Sequence, residues 1–143
     1  MELSWSINLP VDHEKLYKVA IDFENYVNYL PAQIKKISII EKNDDTVTTE
    51  ESLSFQTILK KEFSQRTIHD MKQNSITSTI VSGPFKNSKV TVNFSKIEIG
   101  SKVLIDAHLK IPLKYKVFSL VIKKVYKNYL TSILYKMMNQ VQQ

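Results

Sequence analysis

Leu3, Trp5, Ile7 and Leu9 alternate with Glu2, Ser4, Ser6 and Asn8 at the start of the chain, the two-residue period of a strand with one buried face. Pro10 closes that strand. Asp12 is suited to cap a helix, which the spacing of Leu16, Val19, Ala20 and Phe23 carries to about Phe23. Asp22 or Asn25 caps a second short helix, and Pro31 stops it, because the residue before a proline is pushed out of helical geometry.

From Ile34 to Pro112 the period is that of strands. Ile37 and Ile39 lead into Lys42-Asn43-Asp44-Asp45, a turn-forming cluster, and the chain returns through Val47, Thr49, Leu53 and Phe55. Further strands are predicted around residues 63–68, 76–81, 90–97 and 103–111, separated by Met71-Lys72-Gln73-Asn74, Gly83-Pro84 and Glu98-Ile99-Gly100-Ser101. In the last of them Val103, Ile105, Ala107, Leu109 and Ile111 face one way, with Lys102, Asp106, His108 and Lys110 on the other side. One face of the sheet is therefore apolar and requires a cover. After Pro112 there is no glycine or proline, and Phe118, Val121, Ile122, Val125, Tyr129 and Ile133 share one helical face with Tyr126 at its edge. Lys116, Lys123, Lys124 and Lys127 lie opposite. A helix from about Leu113 to Gln142 is long enough to cross a small sheet, with a fraying Gln-rich tail after Met137, Met138 and Val141.

The length of 143 residues, 43% of them hydrophobic, suits one α+β domain over residues 1–143, and no linker, repeat or low-complexity tract divides it. Cysteine is absent, which excludes disulfides, thiolate metal sites and cysteine nucleophiles. Neither a signal-peptide pattern nor a transmembrane-length apolar run is present, so a soluble, cytoplasmic protein is expected. The net charge is +6 and unevenly placed: Asp106 is the last acidic residue, and Lys110, Lys114, Lys116, Lys123, Lys124, Lys127 and Lys136 follow it. This asymmetry fits an anionic neighbour, whether the lipid headgroups of a membrane touched peripherally, RNA or an acidic protein, as well as it fits a plain solvated helix face.

The segment Val19-Ala20-Ile21-Asp22-Phe23-Glu24-Asn25-Tyr26 with Tyr29-Leu30-Pro31, followed by Ile34-Lys35-Lys36-Ile37, resembles a signature of the START-like superfamily. It is most similar to that of the polyketide cyclase/dehydrase and coenzyme Q-binding group. Ser82-Gly83-Pro84-Phe85-Lys86 is similar to the group's turn between late strands, whereas Val90-Thr91-Val92-Asn93-Phe94 departs from many relatives in lacking a tryptophan. The resemblance implies a helix-grip fold: one strand, two short helices, an antiparallel sheet of about six or seven strands in all, and a long C-terminal helix that the curved sheet wraps.

A sheet curled round a helix leaves a space lined by inward side chains, and such a space favours an apolar occupant. Strand parity and helix face nominate Leu53, Phe55, Phe63, Ile80, Phe85, Val92, Phe94, Ile105, Leu109, Phe118, Ile122, Tyr126 and Tyr129 as its lining. Singly, each is also what an ordinary core holds; the prediction lies in the set. Tyr115, Tyr126, Tyr129 and Tyr135 on the last helix carry hydroxyls that can orient a ligand's carbonyl or hydroxyl, or simply reach solvent. The expected function is binding or transport of a hydrophobic small molecule: a lipid, quinone or polyketide-like compound. By resemblance alone, an aromatase/cyclase-like enzyme is the second reading, and would need buried polar groups such as Ser78, Gln65 or Arg66. A ribosome- or protein-associated regulatory module is the third, since similar proteins include a ribosome-associated growth inhibitor.

Catalytic signals are weak. His13, His69 and His108 fall in a helix start and two different strands, and both His69 beside Asp70 and His108 beside Asp106 read as solvated pairs rather than dyads. Asp44-Asp45 is a turn, and Glu50 and Glu51 point to opposite strand faces, so no metal site follows. With glycine only at Gly83 and Gly100, no phosphate loop or dinucleotide fingerprint can be written. No catalytic residue, metal, cofactor or DNA partner is therefore expected, and the chain reads as a monomer or weak dimer. Asp22 is expected to cap the second helix and tie it to the sheet rim.

Overall fold

A computed structural model describes residues 1–56, 59 and 61–143. The alternating start forms β1 (Glu2–Leu9), with Leu3 and Leu9 buried. Two short helices follow: α1 (His13–Ala20) and a 3-10 turn (Phe23–Asn28). Six further strands complete the sheet: β2 (Ile34–Lys42), β3 (Thr46–Leu53), β4 (Phe63–Lys72), β5 (Ser75–Ser82), β6 (Lys89–Lys96) and β7 (Ser101–His108). They order as β1-β7-β6-β5-β4-β3-β2, every neighbouring pair antiparallel. After a 3-10 turn at Leu113–Phe118, the chain ends in α2 (Ser119–Gln142), about 36 Å long at helical rise.

Hairpins carry the chain from β2 to β7, whereas α1 and the first 3-10 turn cross from one sheet edge to the other. β7 alternates buried and exposed along its whole length, as its sequence predicts, and β3 buries Val47, Thr49, Glu51 and Leu53 in the same way. Gly100 makes the β6–β7 turn possible: its φ is +95°, and a Cβ there would collide with the Leu9 carbonyl oxygen. The buried Ser101 hydroxyl then donates to the Val11 carbonyl and ties this turn to the end of β1.

Several local expectations are corrected. α1 stops at Ala20, three residues early, where the Ile21 amide bonds to Tyr17 and the Asp22 amide to Val19. Its cap is as read: the Asp12 carboxylate accepts from the Lys15 amide at 3.1 Å. The Asp22 side chain, by contrast, makes no capping bond, because the following segment is a 3-10 turn closed by the backbone bond from the Asn25 amide to the Asp22 carbonyl. The last helix begins at Ser119 rather than Leu113, since the Tyr115 amide bonds back to the Pro112 carbonyl in a tighter turn. That turn changes the phase of the helix, and Phe118 and Val121 end up exposed. Ile122, Ile133, Leu134 and Met137 form the buried face instead. The tail also stays helical to Gln142, because Met137 is fully buried and Met138 and Val141 pack on the core.

Candidate functional site

Between the sheet and α2 lies a cavity of about 200 Å³. Its walls are mostly apolar side chains, contributed by inward positions of β2 to β7, by α1 and the first 3-10 turn, and by one face of α2. All but one of the nominated residues border it: Leu53, Phe55, Phe63, Ile80, Phe85, Val92, Phe94, Ile105, Leu109, Ile122, Tyr126 and Tyr129. Phe118 does not, because the 3-10 turn holds it outside, 48% exposed. Aromatic contacts stiffen one wall: Phe55 meets Tyr129 edge-on at 5.0 Å between centroids, and Phe63 meets Phe85 at 5.8 Å. Ile133, Leu134 and Met137 also reach the cavity. Phe55, Val125 and Tyr129 border a surface groove of mixed polarity as well, between the start of β2, the end of β3 and α2.

The sequence reading missed the polar strip crossing this lining. β3 and β4 pair Glu51 with Gln65 and Thr49 with Thr67, and β4 and β5 pair His69 with Ser78. All six side chains fall on the inner face. Thr49 is fully buried, and Glu51, Gln65, Thr67 and His69 are buried. The reading of His69 as a solvated partner of Asp70 is therefore corrected: strand parity sends the two to opposite faces. His69 Nε2 lies 2.8 Å from Thr49 Oγ1 and Nδ1 lies 2.6 Å from Ser78 Oγ. Phe23 stacks on the ring with centroids 4.0 Å apart. Thr49 donates to one Glu51 oxygen at 3.0 Å and Thr67 to the other at 3.1 Å. Gln65 and Ser78 both line the cavity, while Arg66 points outward and pairs with Glu50 at 2.9 Å. His108 and Asp106 bond across the strand pair instead of to each other, to Glu2 and Ser4 respectively.

Burial governs the charges. Loss of water pushes the Glu51 carboxyl up to about 7, against the two threonine bonds that favour its ionised form. The same loss lowers the His69 imidazole to about 4. Burial also raises the Tyr26, Tyr126 and Tyr129 phenols, and the nearby Glu51 charge adds to the effect at Tyr129. Near neutral pH the strip thus holds an uncharged imidazole and a carboxyl close to its titration midpoint. Among the described residues no three acidic or histidine side chains converge as metal ligands.

This architecture is the helix-grip fold of START-like proteins and polyketide aromatase/cyclases. The chain is similar to the Zhui aromatase/cyclase of Streptomyces sp. R1128, with TM-score 0.81 and 9% identity over 99% of this chain and 93% of the other. It is also similar to a START superfamily protein of Mycobacterium smegmatis, with TM-score 0.74 and 17% identity over 99% and 97%. A third likeness is to TTHA0849 of Thermus thermophilus, with TM-score 0.84 and 16% identity over 99% and 97%. No protein-family model matches the sequence, and no curated protein matches it. At these identities the likeness is one of fold.

Proposed function

We propose that residues 1–143 act as one ligand-binding domain that holds and carries a hydrophobic small molecule, of lipid, quinone or polyketide-like character, between the sheet and α2. The observation that carries this reading is the apolar cavity of about 200 Å³, bordered by the inward side chains of six strands and one face of the last helix. An empty apolar space forfeits packing contacts on all its walls, and an apolar occupant restores them. Mass spectrometry of the protein under native conditions, with solvent extraction of the same sample, tests it. A co-purifying apolar molecule, or uptake of an added quinone or fatty acid, is the expected result. Absence of both rejects the carrier role.

The exposed surface supports loading at an anionic membrane from the cytoplasmic side. Leu113, Val117 and Leu120 stand more than 80% exposed, among the exposed Lys114, Lys116, Lys123, Lys124 and Lys127. Apolar side chains within a ring of lysines suit the boundary between acyl chains and acidic headgroups. Among the described residues no helix is long and apolar enough to cross a membrane, so the contact proposed is peripheral.

A second reading, a cyclase-like enzyme, draws on the buried strip of Glu51, His69, Gln65 and Ser78, since carbonyl chemistry needs polar groups inside an apolar chamber. Conversion of a poly-β-ketone substrate, lost on Glu51→Gln or His69→Gln, distinguishes it from carriage, in which the ligand leaves unchanged.

A further inference from the structure

The polar strip has a property that its individual hydrogen bonds do not display. Glu51 and Ser78 both border the cavity, and Thr49, fully buried, lies between them without bordering it. Ser78, His69, Thr49 and Glu51 thus form a continuous chain whose two ends face the same cavity, with links of 2.6, 2.8 and 3.0 Å. Each link joins groups that can exchange donor and acceptor roles. With Glu51 ionised, Thr49 O–H donates to the carboxylate, His69 Nε2–H donates to Thr49, and Ser78 O–H donates to the bare Nδ1. Ser78 then offers the cavity only lone pairs.

A proton entering at Ser78 reverses every link. Ser78 passes its own hydrogen to His69 Nδ1, His69 passes the Nε2 hydrogen to Thr49, and Thr49 passes its hydrogen to Glu51. The imidazole ends as the other neutral tautomer, the carboxyl is neutral, and the Ser78 O–H is free to donate into the cavity. One proton has been taken up, with no ion left inside the protein.

We propose that this chain is the polar subsite of the cavity, that it binds an otherwise apolar molecule by its carbonyl oxygen at Ser78, and that binding takes up one proton, stored at Glu51. The inference rests on the carrier reading and names the chemistry of its ligand. A carbonyl oxygen only accepts hydrogen bonds, so it is held when Ser78 donates and faces only lone pairs when Ser78 is committed to His69. Gln65, buried beside this site and without a side-chain hydrogen bond to the described residues, offers a second donor from β4, its side-chain amide. Burial brings the Glu51 carboxyl near its midpoint at neutral pH, where a ligand can recruit the proton. The other ionisable groups facing Glu51 are His69 on β4, Tyr126 and Tyr129 on α2 and Tyr26 on the first 3-10 turn, all uncharged near neutral pH. Glu50 lies on the opposite face with Arg66, and Lys89, on β6, borders the cavity but is solvent-exposed.

The test is titration calorimetry of the full chain with acetonaphthone and ethylnaphthalene, which share an aromatic body and differ in the carbonyl. Measurements in two buffers of different ionisation enthalpy count protons taken up. Ketone binding is expected to absorb nearly one proton above the Glu51 midpoint and to weaken about tenfold per pH unit there. Hydrocarbon binding is expected to absorb none and to stay level with pH. Glu51→Gln removes the proton uptake, Ser78→Ala removes the preference for the ketone, and retained hydrocarbon binding shows that each variant keeps its cavity. Equal affinities for both probes, or ketone binding without proton uptake, overturns the subsite and leaves the carrier reading standing. Failure of both probes to bind overturns the two together.

Discussion

Glu51 and His69 titrate in opposite directions, and their opposition makes the residue scale measurable. The carboxyl is raised from 4.5 to about 7, so the folded state holds more protons than the unfolded chain between those values, and stability falls as pH climbs through them. The imidazole is lowered from 6.5 to about 4, so here the folded state holds fewer protons, and stability falls as pH drops through that window. Glu51→Gln removes the first effect alone. Above pH 7 the variant should exceed the wild type by roughly 3 kcal/mol, at about 1.4 kcal/mol per pH unit. The difference should vanish near pH 4.5. Urea denaturation at a series of pH values measures it, and a pH-independent difference would contradict a buried carboxyl. The two candidate caps give a second contrast. Asp12→Ala should cost about 1 kcal/mol, since Asp12 satisfies an amide at the start of α1. Asp22→Ala should change stability by less than about 0.5 kcal/mol, since Asp22 is exposed and caps nothing by its side chain.

At the scale of elements, Gly100→Ala is the severe change: it meets both a positive φ and the Leu9 carbonyl, and should cost more than about 1 kcal/mol in chemical denaturation. Most of the strands were legible because their inner faces are apolar; Leu3 to Leu9 and Val103 to Ala107 carry the signal almost without interruption. The resemblance around Asp22 to Pro31 supplied the rest of the order. What was not legible shares one physical cause. Thr49, Glu51, Thr67 and His69 are polar residues on inner positions, and hydropathy assigns polar residues to solvent unless parity is counted through them. Counting from Val47 and Leu53 would have turned Glu51 inward with Thr49, and counting from Phe63 would have done the same for Gln65 and His69. The reverse error fell on Phe118, an aromatic residue that hydropathy sends inside and a six-residue 3-10 turn sends out. Nothing in its own neighbourhood distinguishes that turn from the first turns of α2.

For the whole molecule, the proposed loading at a membrane would take its direction from the placement of charge and exposed apolar surface. The apolar side chains of Leu113, Val117 and Leu120 share one end of the molecule with the lysines of the adjoining helix. Co-sedimentation should therefore find the protein on phosphatidylserine vesicles and not on phosphatidylcholine vesicles. Lys123→Glu with Lys124→Glu should weaken that partition by at least about tenfold, and Leu120→Asp should weaken it at high and low salt alike. Retention on neutral vesicles would point away from the lysines. The grip of sheet on helix also has a reporter. Trp5, the one tryptophan of the sequence, leaves β1 to donate from its indole nitrogen to Thr131 Oγ1 at 3.2 Å, beneath the Lys127 ammonium. Its fluorescence samples the seam where the last helix lies against the first strand. A guest that makes room for itself by lifting that helix would shift the emission toward the red, whereas one that slips in through the groove beside Tyr129 would leave the colour unchanged.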